Sequence, residues 1–329
     1  MKNILVTGCA GFIGSHLCEK LVNENYNVIG LDNLSNGKIS NLKSLKKENK
    51  FDFIEIDIND EERLNKYLIK TDMIFHLAAL ADIVPSITNP NIYFESNVKG
   101  TFNIMKLSRE HCIKKIIYAA SSSCYGIPDK YPTSENSLIS PCYPYALTKR
   151  LGEEIIIHFG KLFNISTISL RLFNVYGPRA RTSGAYGAVF GVFLAQMLAK
   201  KPFTVVGDGE QTRDFTYIDD VVSSFLEMTK DSIHNQIFNI GSGQTYSINY
   251  LIELLGGGEK VFIPERPGEP KCTFADIKKI LRETNWKPII NFETGVQKLL
   301  ESIHDFRDAP VWDKESIENE TKDWFKYLT

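Results

Sequence analysis

One stretch near the start of the chain decides the fold: Ile4-Leu5-Val6-Thr7-Gly8-Cys9-Ala10-Gly11-Phe12-Ile13-Gly14. Its first four residues form an apolar run typical of a buried strand, and the apolar period after His16 predicts a helix. Three glycines between them, spaced Gly-x-x-Gly-x-x-Gly, allow a tight turn, close approach of the backbone to a ligand and close helix packing. Because a helix N-terminus attracts a pyrophosphate, the stretch predicts a dinucleotide site.

Strand and helix patterns alternate through the first half of the chain. Short apolar runs predict further strands at residues 28–31, 53–56, 73–77 and 116–120. Helical patterns lie between them, including residues 95–111. This alternation predicts an α/β fold of the Rossmann type, a doubly wound parallel sheet with helices on both faces.

Asp32 ends the second predicted strand. A carboxylate there can accept hydrogen bonds from both hydroxyls of an adenosine ribose, and it would repel a 2′-phosphate. Residues 33–36 contain no arginine, so NAD is favoured over NADP, although Lys38 is a basic residue close enough to oppose that preference. The alternative is that Asp32 is only a turn residue.

Composition limits the possible partners. The chain has 329 residues, 43% of them hydrophobic, and a net charge of −2, which points to neither nucleic acid nor an anionic membrane. The longest apolar stretch, residues 187–199, is too short to span a bilayer. The six cysteines form no Cys-x-x-Cys pair and have no histidine at ligand spacing. We therefore expect no metal site, and reduced thiols in the cytoplasm.

Tyr145 and Lys149 lie four residues apart, on one face of a predicted helix that Pro144 suits at its first turn. An ammonium one turn from a phenol favours the phenolate, so the tyrosine could act as a base near neutral pH. Alone, such a pair is more often a solvated lysine packed against a ring.

Two other polar residues lie inside or next to apolar runs. Ser121 begins a serine-rich segment where the strand at 116–120 ends, and its hydroxyl can donate to a substrate oxygen unless the segment is only a polar loop. His76, inside the run at 73–77, is expected to be a core histidine rather than a ligand.

These segments, together with residues 171–179, strongly resemble the extended short-chain dehydrogenase/reductase family, in particular nucleotide-sugar 4-epimerases. The resemblance covers nearly the whole chain. It implies an NAD-binding domain over 1–174 plus about 216–243, and a smaller C-terminal nucleotide-sugar-binding domain over 175–215 plus 244–329. It also implies a homodimer formed through the helices at 95–111 and 145–160, whose apolar faces could equally belong to the core.

The resemblance further implies a role for each matching residue. Tyr145 matches the catalytic base, Lys149 the residue that holds the nicotinamide ribose and lowers the tyrosine pKa, and Ser121 the residue that bonds the reacting oxygen. The implied NAD contacts are Gly8, Gly11, Phe12, Ile13, Gly14, Asp32, Asn33, Asp57, Ile58, Leu77, Ala78, Ala79, Asn97, Tyr145 and Lys149. The implied substrate contacts are Ser86, Ser122, Ser123, Asn174, Ala188, Val189, Phe203, Arg213 and Arg266.

The two residues after Ser121 bear on the reaction. Related sugar dehydratases have an Asp-Glu pair there, whereas Ser122 and Ser123 are poor acids and bases at neutral pH. The resemblance therefore implies a 4-epimerase, which oxidises the sugar to a 4-keto intermediate and reduces it on the opposite face. The alternatives are a dehydratase or dehydrogenase that releases a ketosugar, and a non-catalytic NAD-sensing protein.

The second half is expected to hold the nucleotide sugar. The resemblance assigns Arg213 and Arg266 to the diphosphate and makes Phe203 a candidate to stack on the base. The basic, glycine-bearing loop at 179–187 also suits a diphosphate, unless it is a solvated charge run. Thr273 falls where some family members have a bulky tyrosine, and it leaves room for a larger substituent such as a 2-acetamido group; glucuronate-type epimerases can also have a small residue there. The aromatic tail at 308–329 is expected to pack on the body of the protein without a chemical role.

Overall fold

The computed structural model describes residues 2–180 and 188–328. Its strands are β1 (Asn3–Thr7), β2 (Asn27–Asp32), β3 (Phe51–Glu55), β4 (Met73–His76), β5 (Lys115–Ser121), β6 (Ser166–Leu172), β7 (Asn174–Tyr176), β8 (Phe203–Val206), β9 (Thr212–Arg213), β10 (Phe215–Tyr217), β11 (Gln236–Ile240), β12 (Tyr246–Ser247) and β13 (Lys260–Ile263). Its α-helices are α1 (Phe12–Asn23), α2 (Glu61–Leu68), α3 (Ile83–Thr88), α4 (Pro90–Tyr93), α5 (Gly100–Glu110), α6 (Pro144–Phe163), α7 (Val189–Leu198), α8 (Ile218–Glu227), α9 (Ile248–Leu254), α10 (Lys278–Glu283), α11 (Phe292–Glu301), α12 (Lys314–Glu320) and α13 (Lys322–Leu328). Short 3₁₀ segments lie at Ile39–Lys47, Ser122–Tyr125 and Ile303–Phe306.

Seven strands form a parallel sheet in the order β11-β6-β5-β4-β1-β2-β3. The predicted doubly wound fold is therefore confirmed, and the four predicted strands differ from the observed ones by about two residues at most. The strand order reverses between β1 and β4. Ligands of such sheets bind outside the carboxyl ends of the strands at that reversal.

Both faces of the sheet are buried. Ile4 and Val6 pack in one hydrophobic core and Leu5 in the core on the opposite face. Because helices cover both faces, β1 is an unbroken apolar run rather than an alternating one.

The predicted helix at 95–111 is not one regular α-helix. A π-helical turn, Phe94–Lys99, precedes α5. Such turns insert an extra residue and often occur at functional sites. Here the turn carries Asn97, whose amide accepts from the Leu80 N–H at 2.8 Å and donates to the Leu80 carbonyl at 3.0 Å.

The other described strands pair in two-stranded sheets. β7 pairs with β10 and β8 with β13, both parallel, and β9 pairs with β12 antiparallel. Arg213 lies in β9, and Arg266 lies in the loop after β13.

Candidate active site

A cavity of about 1140 Å³ lies at the carboxyl ends of the central strands and extends to the loop after β13. It brings together nearly all the residues that were predicted to bind cofactor or substrate. The predicted residues in its wall are Gly8, Gly11, Phe12, Ile13, Gly14, Asp32, Asn33, Asp57, Ile58, Leu77, Ala78, Ala79, Ser121, Ser122, Ser123, Tyr145, Lys149, Asn174, Ala188, Val189, Arg213 and Arg266. Their individual contacts to ligands stay predictions.

The glycine turn is shaped so that no side chain fits. Gly8 has a φ of +72°, and a Cβ there would lie 2.8 Å from the Ala78 nitrogen. A Cβ on Gly14 would overlap the carbonyl oxygen of Gly8. α1 begins without a side-chain cap, so its first amides have no side-chain acceptor of their own. This backbone fits the pyrophosphate of a dinucleotide.

Asp32 is almost completely buried at the cavity wall. Its carboxylate accepts from the Ala10 N–H at 2.9 Å and from the Leu34 N–H at 2.8 Å. Burial raises the pKa of Asp32, and the two backbone hydrogen bonds oppose that rise. The carboxylate therefore links the backbone of the glycine turn to the backbone that follows β2, and it also faces the cavity.

The wall segment that follows Asp32 in sequence has no charged side chain. It contains Asn33, Ser35, Asn36 and Gly37, and within the described residues Lys38 is not part of it. Asn33 donates to the Asp57 carboxylate at 2.7 Å, which joins two of the predicted NAD contacts. A 2′-phosphate would meet no cation from residues 33–37, which supports NAD over NADP.

Tyr145 meets two serines at the end of β5. The hydroxyls of Ser121 and Ser123 are close enough to its phenol to act on the pKa of Tyr145. The two serine oxygens are 2.6 Å apart, and the Ser123 N–H donates to the Ser121 oxygen at 3.2 Å. Burial raises the pKa of Tyr145, whereas the two serine hydroxyls lower it. The phenol is thus placed among hydroxyls that can stabilise its anion.

Lys149 lies one turn after Tyr145, buried at the cavity wall. Its ammonium is 4.2 Å from the ring centroid of Tyr118. Burial lowers the pKa of Lys149 to about 7, and the Glu153 carboxylate partly opposes this. The Lys149 ammonium, which was predicted to favour the Tyr145 phenolate, therefore loses its proton near neutral pH.

His76 is a core histidine, as predicted. Its ring nitrogens lie 2.8 Å from the Thr7 hydroxyl and 2.9 Å from the Thr101 hydroxyl. Burial lowers its pKa to about 3, so the ring is neutral. The Thr7 hydroxyl also accepts from the Leu77 and Ala78 amides, so this cluster holds the ends of β1 and β4 together.

Three predicted contacts are outside the cavity wall: Asn97, Ser86 and Phe203. Asn97 is buried with its amide bonded to Leu80 and, at 3.1 Å, to the Thr148 hydroxyl beside Lys149. It therefore lies behind the cavity wall and bonds to residues next to the site. Ser86 is fully buried in α3 and donates to the Ile83 carbonyl at 2.6 Å. The hydroxyl of Ser86 completes its own helix instead of facing a substrate.

Arg213 and Arg266 share a carboxylate that sequence reasoning missed. Glu269 accepts from Arg213 at 2.8 Å and lies 3.5 Å from Arg266. Burial alone would raise the pKa of Glu269, but the two guanidinium groups hold it below its ordinary value. This end of the cavity is a cluster of two cations and one anion, so it has an excess of one positive charge that can attract an anionic ligand.

Arg179 does not join this cluster. It donates to the Glu19 carboxylate at 2.8 Å and to the Ser15 hydroxyl at 3.3 Å, both on α1. The rest of the predicted basic loop, residues 181–187, lies outside the described residues. Arg179 is therefore paired with the helix after the glycine turn.

The prediction that Phe203 stacks on a base is wrong. Phe203 is buried in the core, 5.1 Å from the Phe193 ring, while Thr204 and Val206 line the cavity. Neighbouring residues of a strand point to opposite faces. In β8 the face that lines the cavity carries Thr204 and Val206, whereas Phe203 points to the core.

Thr273 lies in the cavity wall beside Asn174. Its hydroxyl donates to the Asn174 side chain at 2.7 Å and accepts from the Asp214 N–H at 3.1 Å. The short side chain is thus held against the wall, which leaves the space in front of it open.

Aromatic residues of the tail also reach the cavity. Trp312 and Trp324 are part of its wall, as is Tyr143, whose ring stacks on Tyr145 at 6.4 Å. The tail packs on the body as predicted, but it packs at the site. Tyr143 could have been predicted as a site residue because it is an aromatic residue two positions before the predicted base. No sequence spacing links Trp324 to the site.

Within 2–180 and 188–328, no helix combines the length and apolarity needed to cross a bilayer. Across the same ranges, no group of three or more histidine, cysteine, aspartate or glutamate side chains is placed to hold a metal ion. The six cysteines are free.

Known proteins show what this chain is similar to. It is 34% identical to the UDP-glucose 4-epimerase of Mycolicibacterium smegmatis over 304 residues, which cover 90% of this chain and 97% of that protein. A structure of UDP-glucuronic acid 4-epimerase from Bacillus cereus, in complex with UDP-glucuronic acid and NAD, matches with a TM-score of 0.85 and 35% identity over 92% of this chain and 99% of that one.

A UDP-N-acetylglucosamine 4-epimerase from Methanobrevibacter ruminantium matches with a TM-score of 0.85 and 33% identity over 91% of this chain and 97% of that one. The family model that matches residues 4–241 describes NAD dependent epimerases and dehydratases. With the glycine turn, Asp32 and the Tyr145 site in one cavity, the chain belongs to the NAD dependent epimerase/dehydratase family.

Proposed function

We propose that this protein is an NAD-dependent nucleotide-sugar 4-epimerase that acts on a UDP-hexose or a UDP-N-acetylhexosamine. One observation carries the proposal: a single cavity joins the glycine turn, the Tyr145–Ser121 pair and the two arginines. The UDP-sugar 4-epimerase relatives support the reaction and the uridine nucleotide.

Tyr145 is the base in this proposal. Its phenolate, stabilised by hydrogen bonds from Ser121 and Ser123, accepts the proton of the sugar 4-hydroxyl. Bound NAD supplies the acceptor and later the donor of the C4 hydride. Tyr145 then returns its proton to the oxygen once the 4-keto sugar has turned over, so the reaction ends with no net oxidation.

The nucleotide is anchored away from the chemistry. Arg213 and Arg266 are nearly buried and receive the diphosphate by charge-assisted hydrogen bonds. Since the sugar must turn between the two half-reactions, we infer that affinity depends on the nucleotide rather than on the hexose.

Ser122 and Ser123 separate this reaction from elimination. Both line the cavity beside Tyr145, and neither supplies the carboxyl groups that would expel water from the neighbouring carbon. Reversible redox at one carbon is the chemistry that the present side chains support.

A panel of nucleotide sugars tests the proposal. The purified protein is incubated with UDP-glucose, UDP-N-acetylglucosamine and UDP-glucuronate, and the products are followed by NMR and by absorbance of NADH. Interconversion at C4 without net NADH is expected for at least one of them. Release of a ketosugar, or net NADH, would instead identify a dehydratase or a dehydrogenase.

We also propose that the protein is a cytoplasmic homodimer. Phe94, Phe102, Leu147 and Leu162 are large apolar side chains exposed on the helices around α5 and α6. A second copy would cover them. Light scattering tests this, since Phe102→Glu together with Leu147→Glu is expected to give monomers.

We also propose that two parts of the chain bind the two ligands. Residues 1–174 plus about 216–243 hold the NAD, and residues 175–215 plus 244–329 hold the nucleotide sugar. β11, which pairs with β6, supports the return of the chain to the first part.

A further inference from the structure

Trp324, in the last helix, holds the loop that carries Arg266. The indole N–H donates to the Pro267 carbonyl at 2.7 Å. The Arg266 guanidinium carbon lies 5.5 Å from the centroid of the indole ring. One side chain therefore contacts two consecutive residues of that loop, one through a hydrogen bond and one through a cation–π contact.

The same indole faces the catalytic helix. Its ring centroid lies 6.2 Å from that of Tyr143, which precedes α6 and stacks on Tyr145. Trp324 is 2% exposed and is part of the cavity wall. Trp324 thus lies between Arg266, which is proposed to bind the diphosphate, and the stacked rings of Tyr143 and Tyr145, the proposed base.

Trp286 shows what an ordinary core tryptophan looks like in this fold. Its indole N–H donates to the Asp220 carbonyl and the Ser223 hydroxyl, its ring belongs to the main hydrophobic core, and it is not in the cavity wall. Trp324 belongs to none of the hydrophobic core clusters of the described residues. Its contacts include Tyr143 and Arg266, which are part of the cavity wall.

We propose that Trp324 is a positioning residue of the nucleotide-diphosphate site, which makes the C-terminal helix a working part of that site. This inference rests on the proposed function. Without the indole, the Arg266–Pro267 backbone loses its anchor and the guanidinium loses the ring beneath it. Arg266 then has to be ordered when the nucleotide binds, so affinity falls.

The test measures the dissociation constant of UDP by calorimetry, and KM and kcat for the nucleotide sugar that the protein converts. Trp324→Ala is expected to weaken UDP binding and raise KM about tenfold, with kcat changed roughly twofold at most. Trp324→Phe keeps a ring under Arg266 but loses the hydrogen bond, so we expect a loss of about threefold. Tyr327→Ala, at a 60% exposed position of the same helix, is the matched control and is expected to bind UDP normally.

A double-mutant cycle separates positioning from general destabilisation. If Trp324 acts through Arg266, then Trp324→Ala adds little to the defect of Arg266→Met. Independent, additive losses would overturn the inference, and so would a Trp324→Ala or Trp324→Phe variant that binds UDP as Tyr327→Ala does. Should Trp324→Ala fail to fold, the cycle is run with Trp324→Phe. A wild-type protein that binds no UDP would instead overturn the proposed function.

Discussion

The two ends of the cavity are built by different means. At the glycine turn, shape comes from the backbone, because Gly8 and Gly14 leave no room for a side chain. At the other end, Arg213, Glu269 and Arg266 form a charge cluster. The backbone surface contains no side chain that would have to move for a ligand, whereas the charge cluster would have to exchange partners if a diphosphate binds there as proposed. The contrast matches a cofactor that stays bound and a substrate that comes and goes.

Tyr145→Phe removes the group that lies between the two ends, and we expect the largest effect from it. Turnover should fall about 10³-fold, since general acid–base catalysis contributes on that scale. NAD content and UDP affinity should not change, because neither end loses a contact. Product formation by NMR, with NAD content from the denatured protein, measures both. Near-normal turnover would disprove the role of the phenol.

Gly14→Ala attacks the backbone end. The added methyl group overlaps the Gly8 carbonyl, and such overpacking costs roughly 1–3 kcal/mol. We expect the purified variant to have lost most of its NAD while UDP, measured by calorimetry, still binds. Retained NAD would show that the turn adapts, and loss of both ligands would show that the two ends are not independent.

Arg213→Met attacks the charged end and leaves Glu269 with one partner fewer. Truncating one member of a buried charge pair costs about 2–5 kcal/mol, so UDP affinity should fall roughly thirtyfold or more. NAD content should be unchanged. Arg179→Met is the matched control for UDP affinity, because Arg179 pairs with Glu19 on α1 instead. Equal losses in the two variants would contradict the assignment of the diphosphate to Arg213.

Thr273→Tyr sharpens the comparison within the substrate end, by filling the space in front of the short side chain. We expect roughly a tenfold drop in kcat/KM for UDP-N-acetylglucosamine relative to UDP-glucose, since steric selection in a pocket has about this size. Thr273→Val keeps the volume but cannot donate to Asn174. If Thr273→Val shifts the ratio as much as Thr273→Tyr does, the hydrogen bonds and not the free space decide selectivity.

Lys149 gives the smallest effect, visible as a pH dependence of stability. Its pKa is about 7 in the folded protein, against an ordinary value of 10.5. Between these values the unfolded chain binds the extra proton, so the free energy of unfolding rises with pH, by up to about 1.4 kcal/mol per unit. Urea unfolding at pH 7, 8 and 9 should show this rise for the wild type relative to Lys149→Met. Parallel curves would mean that the lysine is charged throughout.

The two ends also differ in how far the sequence predicts them. Gly8, Gly14 and Asp32 were predictable because a tight turn and a strand end impose local rules on the residues that form them. Tyr145 and Lys149 share a helix face for an equally local reason.

The failures have non-local causes. Phe203 was assigned to the wrong side because only the tertiary packing decides which face of a four-residue strand meets the core. Asn97 lies on a π-helical turn and bonds to Leu80, a placement that the sequence pattern does not show. Glu269 lies 56 residues after Arg213, and the Trp324 indole reaches back 57 residues to Pro267, so no sequence period links either pair.

The two backbone hydrogen bonds of Asp32 have a consequence for redesigning cofactor preference. The simplest change toward NADP would replace Asp32 by a small neutral residue and add a cation at 33–36. That change would leave the Ala10 and Leu34 amides without an acceptor, and Leu34 already has a φ of +57°. The variant would lose the shape of the turn along with the charge it was meant to remove. A workable exchange must keep an acceptor at position 32 that serves both amides and recruit the phosphate-binding cation from the neighbouring wall.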